Sequence, residues 1–145
     1  KVLAPRETGE IAVRRKAGWF YVKDRGYRDE DGYLYIEGRS DDVIISAGWT
    51  MSAVEIENSL MKHPAVLEAA VIGVPDALRG QVVRAYIVAR GGADAPVADI
   101  QSFMKQNLSQ HEYPRQIEFV TELPKTPAGK INRKVLRDRA AQARD

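Results

Sequence analysis

Two stretches rich in β-branched residues, 67–74 and 81–89, constrain this chain most, because they read as strands with the turn-forming pair Arg79–Gly80 between them. A third strand is expected over 116–120. Helical signals surround these strands. Ser52 and Glu55 have the spacing of a capping box, opening a helix through about Lys62 that Pro64 ends. Val54, Ile56, Leu60 and Met61 supply its apolar positions. Pro96 suits the first turn of a second helix running to about Leu108, in which Ile100, Phe103, Met104 and Leu108 recur at the spacing of core packing. A third helix is expected from Arg133 to about Ala143. The fold class is therefore α+β, a central three-stranded sheet flanked by helices. Val43–Ile45 reads as a short buried strand, Ser46-Ala47-Gly48 as a small-residue loop and Gly91–Gly92 as a turn.

Residues 1–38 follow a different pattern. Polar and apolar residues alternate over 9–14 and in parts of 19–28 and 33–37, and Asp29-Glu30-Asp31-Gly32 is a hairpin turn. A meander this short exposes one face and would lie against a larger body.

Composition excludes several classes of function. Of 145 residues 44% are apolar and 29% charged, which describes a globular protein. A net charge of +2 argues against strong commitment to nucleic acid, and no aromatic platform accompanies the locally basic C-terminal segment. With no cysteine there is no disulfide framework, thiolate nucleophile or zinc–thiolate site, and a cytoplasmic location is expected. No apolar run has membrane-spanning length and no leader opens the chain. The first residue is Lys1, within a β segment, which reads as a piece of a longer protein. His63 and His111 lack a visible acid–base partner and read as surface residues, while the adjacent Asp41 and Asp42 do not complete a metal shell alone. No metal site is expected.

The segment PKTPAGKINR at 124–133 carries the first chemical signal. Pro124, Pro127 and Gly129 hold the backbone out of regular structure and present Lys130 at the tip of a loop. One ammonium on such a loop suits a site where negative charge develops, above all on a phosphoryl group. A solvated basic loop is the plain alternative.

The segment GRSDDVIISAGW at 38–49 is the second signal. Together with the lysine loop it resembles the adenylate-forming enzymes: acyl-CoA synthetases, adenylation domains of nonribosomal peptide synthetases, and firefly-type luciferases. Glu55-Ile56-Glu57, Pro64-Ala65-Val66, the run from Ala69 to Asp76, Arg79–Gly80 and Tyr113-Pro114-Arg115 complete a series in family order over nearly the whole chain. The resemblance implies that residues 1–38 end a large N-terminal domain that binds ATP and the acyl group. Residues 39–145 would form a small mobile C-terminal domain.

Further expectations follow from the resemblance. ATP activates a carboxylic acid to an acyl-adenylate with release of pyrophosphate, and a CoA thiol then takes the acyl group and expels AMP. ATP/AMP and CoA are thus the expected substrates, with Mg2+ accompanying ATP and held mainly by the large domain, the chief expected partner. Lys130 matches the lysine of the adenylation step, Asp41 the hinge about which the small domain rotates, and Arg39 an arginine near the ribose. Asp24 matches a carboxylate that accepts the ribose hydroxyls. Gly48 and Trp49 match the Gly–aromatic pair beside the thiol's route: glycine admits a narrow arm, and a ring offers a flat apolar wall. Trp49 reads alternatively as a core aromatic at a turn. Val22-Lys23-Asp24 stands where many relatives have Thr-Gly-Asp, and Thr50 where an arginine is frequent. The motif forms favour an acyl-CoA synthetase, with a medium-chain fatty or aromatic acid by analogy. An adenylation domain loading a carrier protein, and a non-catalytic nucleotide- or partner-binding module, are the alternatives.

Overall fold

The structure is a computed structural model describing residues 2–92, 96–108 and 112–143, with the backbone alone at Asp41. His111 lies outside the described residues. The chain forms two compact units, Lys1–Asp42 and Val43–Asp145.

The first unit is an antiparallel meander of β1 (Gly9–Arg15), β2 (Gly18–Arg28) and β3 (Leu34–Arg39), ordered β1-β2-β3. Asp29 closes the β2–β3 turn. Its carboxylate accepts from the N–H groups of Asp31 and Tyr33, and Gly32 takes a φ of 91° that a side chain would resist. Tyr27 and Tyr35, paired across the strands, stack with ring centroids 4.9 Å apart. Tyr33, Leu34, Tyr35 and Ile36 are all exposed. Successive strand residues point to opposite faces, so within this unit neither face of β3 is covered.

The second unit begins with a hairpin of β4 (Val43–Ser46) and β5 (Trp49–Ser52), followed by α1 (Ala53–Leu60). The expected buried strand is only half buried, Ile44 facing inward and Ile45 being 53% exposed. Ser52 caps α1, its hydroxyl accepting from Glu55 N–H at 3.4 Å. The buried face of α1 is Ala53, Ile56, Glu57 and Leu60, whereas Val54 and Met61 are exposed. Two of the four expected apolar positions, Ile56 and Leu60, are thus buried, and Glu57 joins them on the buried face.

The sheet comprises β6 (Val66–Asp76), β7 (Gly80–Ala89) and β8 (Gln116–Phe119), ordered β6-β7-β8. β6 and β7 form an antiparallel pair, and α2 (Val97–Asn107) returns the chain so that β8 lies parallel to β7. α3 (Arg133–Gln142) closes the described fold. Both sheet faces are covered. Val71, Val83, Ala85 and Ile87 pack with Ile44, Met51, Ile56, Leu60, Ile100 and Met104 from β4, β5, α1 and α2. Ala70, Ile72, Val74, Val82 and Tyr86 pack with Leu123, Leu136 and Ala140, from the segment before α3 and α3 itself. Burial on two faces explains why β6 and β7 read as near-continuous apolar runs rather than alternating ones.

Candidate functional site

In the first unit the register of β2 and β3 sets Asp24 opposite Arg39, and Asp24 Oδ1 lies 3.7 Å from Arg39 Nη1. Both side chains remain partly exposed. Such a pair adds little to stability, but it offers a carboxylate that accepts hydroxyls beside a fixed positive charge. Lys23, just before Asp24, has a φ of 61°. Lysine thus occupies a backbone conformation that favours glycine, at the middle of Val22-Lys23-Asp24. The Lys23 carbonyl accepts from Ser40 Oγ at 3.0 Å, which ties this distorted point of β2 to the 3-10 turn Ser40–Asp42. That turn includes Asp41.

In the second unit Ser46 and Trp49 pair across a two-residue turn whose central residues, Ala47 and Gly48, have φ values of 50° and 83°. Two successive left-handed residues match the twist of a tight hairpin. A methyl built on Gly48 would meet no heavy atom within 4 Å, so the space over the tip is open. Trp49 is 59% exposed and is not a core aromatic. Ala47 N–H donates to the Arg79 carbonyl at 2.8 Å and Ile45 N–H to Gln81 Oε1 at 3.0 Å. Both acceptors come from the β6–β7 corner. Asp76 shapes that corner, accepting from the N–H groups of Arg79 and Leu78, bonds that hold its carboxyl below the ordinary aspartate range.

The lysine loop is closed at its base by an antiparallel bridge between Lys125 and Ile131, and by Asn132 N–H donating to the Pro124 carbonyl at 2.8 Å. Inside it Thr126 N–H donates to the Lys130 carbonyl at 2.7 Å, and Thr126 Oγ1 accepts from Lys130 N–H at 3.2 Å. Gly129 turns the chain at a φ of 80°. Asn132 caps α3 by accepting from Val135 N–H. Lys125 is paired with Glu68 at 2.8 Å, whereas among the described residues Lys130 has no ion-pair partner and its side chain is exposed. A well-anchored loop with an uncommitted ammonium can serve a phosphate without first breaking a native ion pair.

Arg133 fixes where that loop leaves the domain. Its Nε donates to Glu57 Oε1 at 2.8 Å and its Nη2 to Oε2 at 2.6 Å, and Glu57 Oε1 also accepts from Val71 N–H of edge strand β6. The pairing of these two side chains is not apparent from sequence spacing, since they lie 76 residues apart.

The hairpin tip and the lysine loop thus belong to opposite layers of one sheet. The hairpin packs in the layer of α1 and α2, while the lysine loop leads into α3 on the other face. Among the described residues no three His, Cys, Asp or Glu side chains gather as metal ligands, and no helix is long and apolar enough to cross a membrane.

Comparison with known proteins agrees with this architecture. The family described as AMP-binding enzyme C-terminal domain matches residues 55–130, and the chain belongs to that family of adenylate-forming enzymes. Among its relatives is acyl-coenzyme A synthetase ACSM4, mitochondrial, of Rattus norvegicus. It is 46% identical over 138 residues, covering 91% of this chain and 23% of the relative. Acetyl-coenzyme A synthetase of Bacillus subtilis (strain 168) is 46% identical over 123 residues, covering 83% of the chain and 22% of the relative. In structure the chain resembles ATP-bound MatB from Rhodopseudomonas palustris, with a TM-score of 0.80 and 31% identity over 94% of this chain and 31% of that one. The chain therefore spans about a quarter of the length of the curated relatives it matches. The rat relative is named as mitochondrial, so membership of the family does not by itself assign the cytoplasm.

Proposed function

We propose that this chain is the C-terminal part of an AMP-forming acyl-CoA synthetase and supplies one side chain or loop to each of two half-reactions. The carrying observation is the exposed Lys130, without an ion-pair partner among the described residues, on one layer of the sheet and the open space over Gly48 on the other. In the first half-reaction a carboxylate oxygen bonds to the α-phosphorus of ATP and the bond to pyrophosphate breaks. Lys130 offsets the negative charge crowded between the two anions. In the second, the CoA sulfur bonds to the acyl carbon, the thiol loses its proton and the bond to AMP breaks. The tip of the β4–β5 hairpin borders the thiol's route, glycine leaving space and Trp49 giving an apolar wall.

Opposed placement supports a rotation of the small domain between the steps, since one rigid body cannot turn both layers to the same substrate. The hinge is assigned to Asp41, in the 3-10 turn that ends the first compact unit. Asp24 takes the ribose hydroxyls and Arg39 steadies that carboxylate. The larger part of the protein would contribute the acyl pocket and the grip on ATP and its Mg2+. The carboxylic acid is assigned by class alone, as an acyl chain compatible with CoA ligation. The acyl-CoA synthetase names of the relatives favour free CoA over a carrier protein as acceptor.

Lys130→Ala in the full-length protein tests this reading. Acid-dependent ATP–pyrophosphate exchange should fall by about a hundredfold, the effect of losing one preorganised electrostatic donor. Conversion of a preformed acyl-adenylate and CoA should stay near the wild-type rate. Equal loss in both half-reactions would mean that Lys130 acts structurally or in both steps.

A further inference from the structure

In an antiparallel pair, residues alternate between exchanging both backbone bonds with their partner and directing both outward. Ile45 of β4 and Ala47 of the turn direct their N–H groups outward, donating to Gln81 Oε1 and the Arg79 carbonyl rather than to β5. The first of these acceptors is a side chain, and only it can be changed by substitution without altering the backbone. Space for it is made by Gly73 on β6. A methyl there would lie 2.9 Å from Gln81 Oε1 and 3.0 Å from its Cδ, so the end of the glutamine would have to shift. Gly73 has no positive φ, so clearance rather than conformation is what its missing side chain provides.

The turn beyond has reason to need this support. Ala47 is in the left-handed region, which disfavours any residue with a Cβ, and a two-stranded hairpin is marginal alone. Its inner face is held by Ile44 and Met51 in the core, but its outer edge depends on the β6–β7 corner.

We propose that Gln81, seated over Gly73, is a positioning residue for thioester formation: it holds the edge of β4 and thereby sets where the Gly48–Trp49 tip meets the incoming thiol. This rests on the reading that the tip borders the thiol's route. The lysine loop lies on the other face of the sheet, so adenylate formation should not depend on Gln81. An oxygen acceptor is all that the Ile45 N–H requires. Gln81→Glu therefore keeps the bond, Gln81→Leu removes it, and Gly73→Ala displaces the glutamine while leaving its chemistry intact.

The test uses the full-length protein with these three variants, an acyl-adenylate with CoA for the second half-reaction, and pyrophosphate exchange for the first. Backbone hydrogen exchange over residues 43–52 is followed in parallel. Gln81→Leu and Gly73→Ala should each raise the KM for CoA about fivefold or more, as for loss of one ordinary hydrogen bond, with kcat and pyrophosphate exchange within about twofold. Both should speed exchange over 43–52, and Gln81→Glu should match wild type throughout. Unchanged hydrogen exchange in Gln81→Leu overturns the role of Gln81 and leaves the functional reading standing. Faster exchange with an unaltered KM for CoA removes the tip from the thiol's route, and the proposal with it. Equal loss in both half-reactions, or Gln81→Glu behaving as Gln81→Leu, marks Gln81 as merely structural and overturns the proposal.

Discussion

Replacing Glu57 by alanine should cost far more than its place on a short helix suggests. Its side chain is 4% exposed and that of its partner Arg133 13%, so neither has much water to fall back on. The substitution takes the carboxylate from a nearly buried guanidinium and an acceptor from Val71 N–H. Breaking a buried ion pair from one side costs about 3–5 kcal/mol, and the residual exposure of Arg133 places this one near ~3 kcal/mol. For a domain of 60–100 residues each kcal/mol moves Tm by about 4–8 °C, so the melting point should drop by roughly 12 °C or more. With a urea m-value near ~2 kcal/mol/M, the midpoint should fall by about 1.5 M. The paired variant Glu57→Leu/Arg133→Met removes both charges and should recover much of the loss, because desolvation nearly cancels the attraction, leaving the Val71 N–H without its acceptor. Urea titrations of wild type and variants with m held common decide the matter. A loss below ~1 kcal/mol in Glu57→Ala, or a double variant no better than the single one, would refute the argument that buried, mutually dependent charges join α1 to α3.

Two further substitutions probe the junction and its neighbour. Proline fixes φ near −65°, a value that a 3-10 turn already uses, so Asp41→Pro should fold normally yet restrict rotation about the hinge. In the full-length protein it should keep pyrophosphate exchange and lose thioester formation, and retention of both half-reactions would move the hinge elsewhere. Lys23→Val places a β-branched side chain at a φ of 61° and should destabilise by ~1 kcal/mol or more, while Lys23→Gly should not destabilise. Thermal melts of both variants test whether the backbone, rather than the lysine, matters there.

The three-stranded sheet was legible because β6 and β7 are rich in β-branched residues, and α2 because Ile100 and Met104 repeat at helical spacing and are buried. β5 was hidden. Its four residues pass straight into the capping motif of α1, and the turn before it uses alanine where Asn, Asp or Gly would announce two left-handed positions. The core face of α1 was misread for a different reason. Glu57 is buried where Arg133 and the Val71 N–H meet its carboxylate, and partners that distant leave no trace in the local periodicity, which points instead to Val54 and Met61. Ile45 shows the same limit on a strand: a run of three apolar residues does not reveal that the middle one faces inward and the last outward. Of the candidate site, Lys130, Gly48 and Trp49 stand in motifs whose resemblance to a family singles them out. Gln81 is not so marked, since a polar residue at the start of a strand gives no sign that a glycine on the neighbouring strand has made room for it.

The uncovered meander bears on which part of the chain can fold independently. Apolar side chains of β3 are exposed on both of its faces within the first unit, so the meander cannot bury them with its own residues. The following unit differs, because both of its hydrophobic clusters draw every member from residues beyond Asp42. The second unit can therefore reach its packed state from its own residues, whereas the meander needs a covering surface from outside itself.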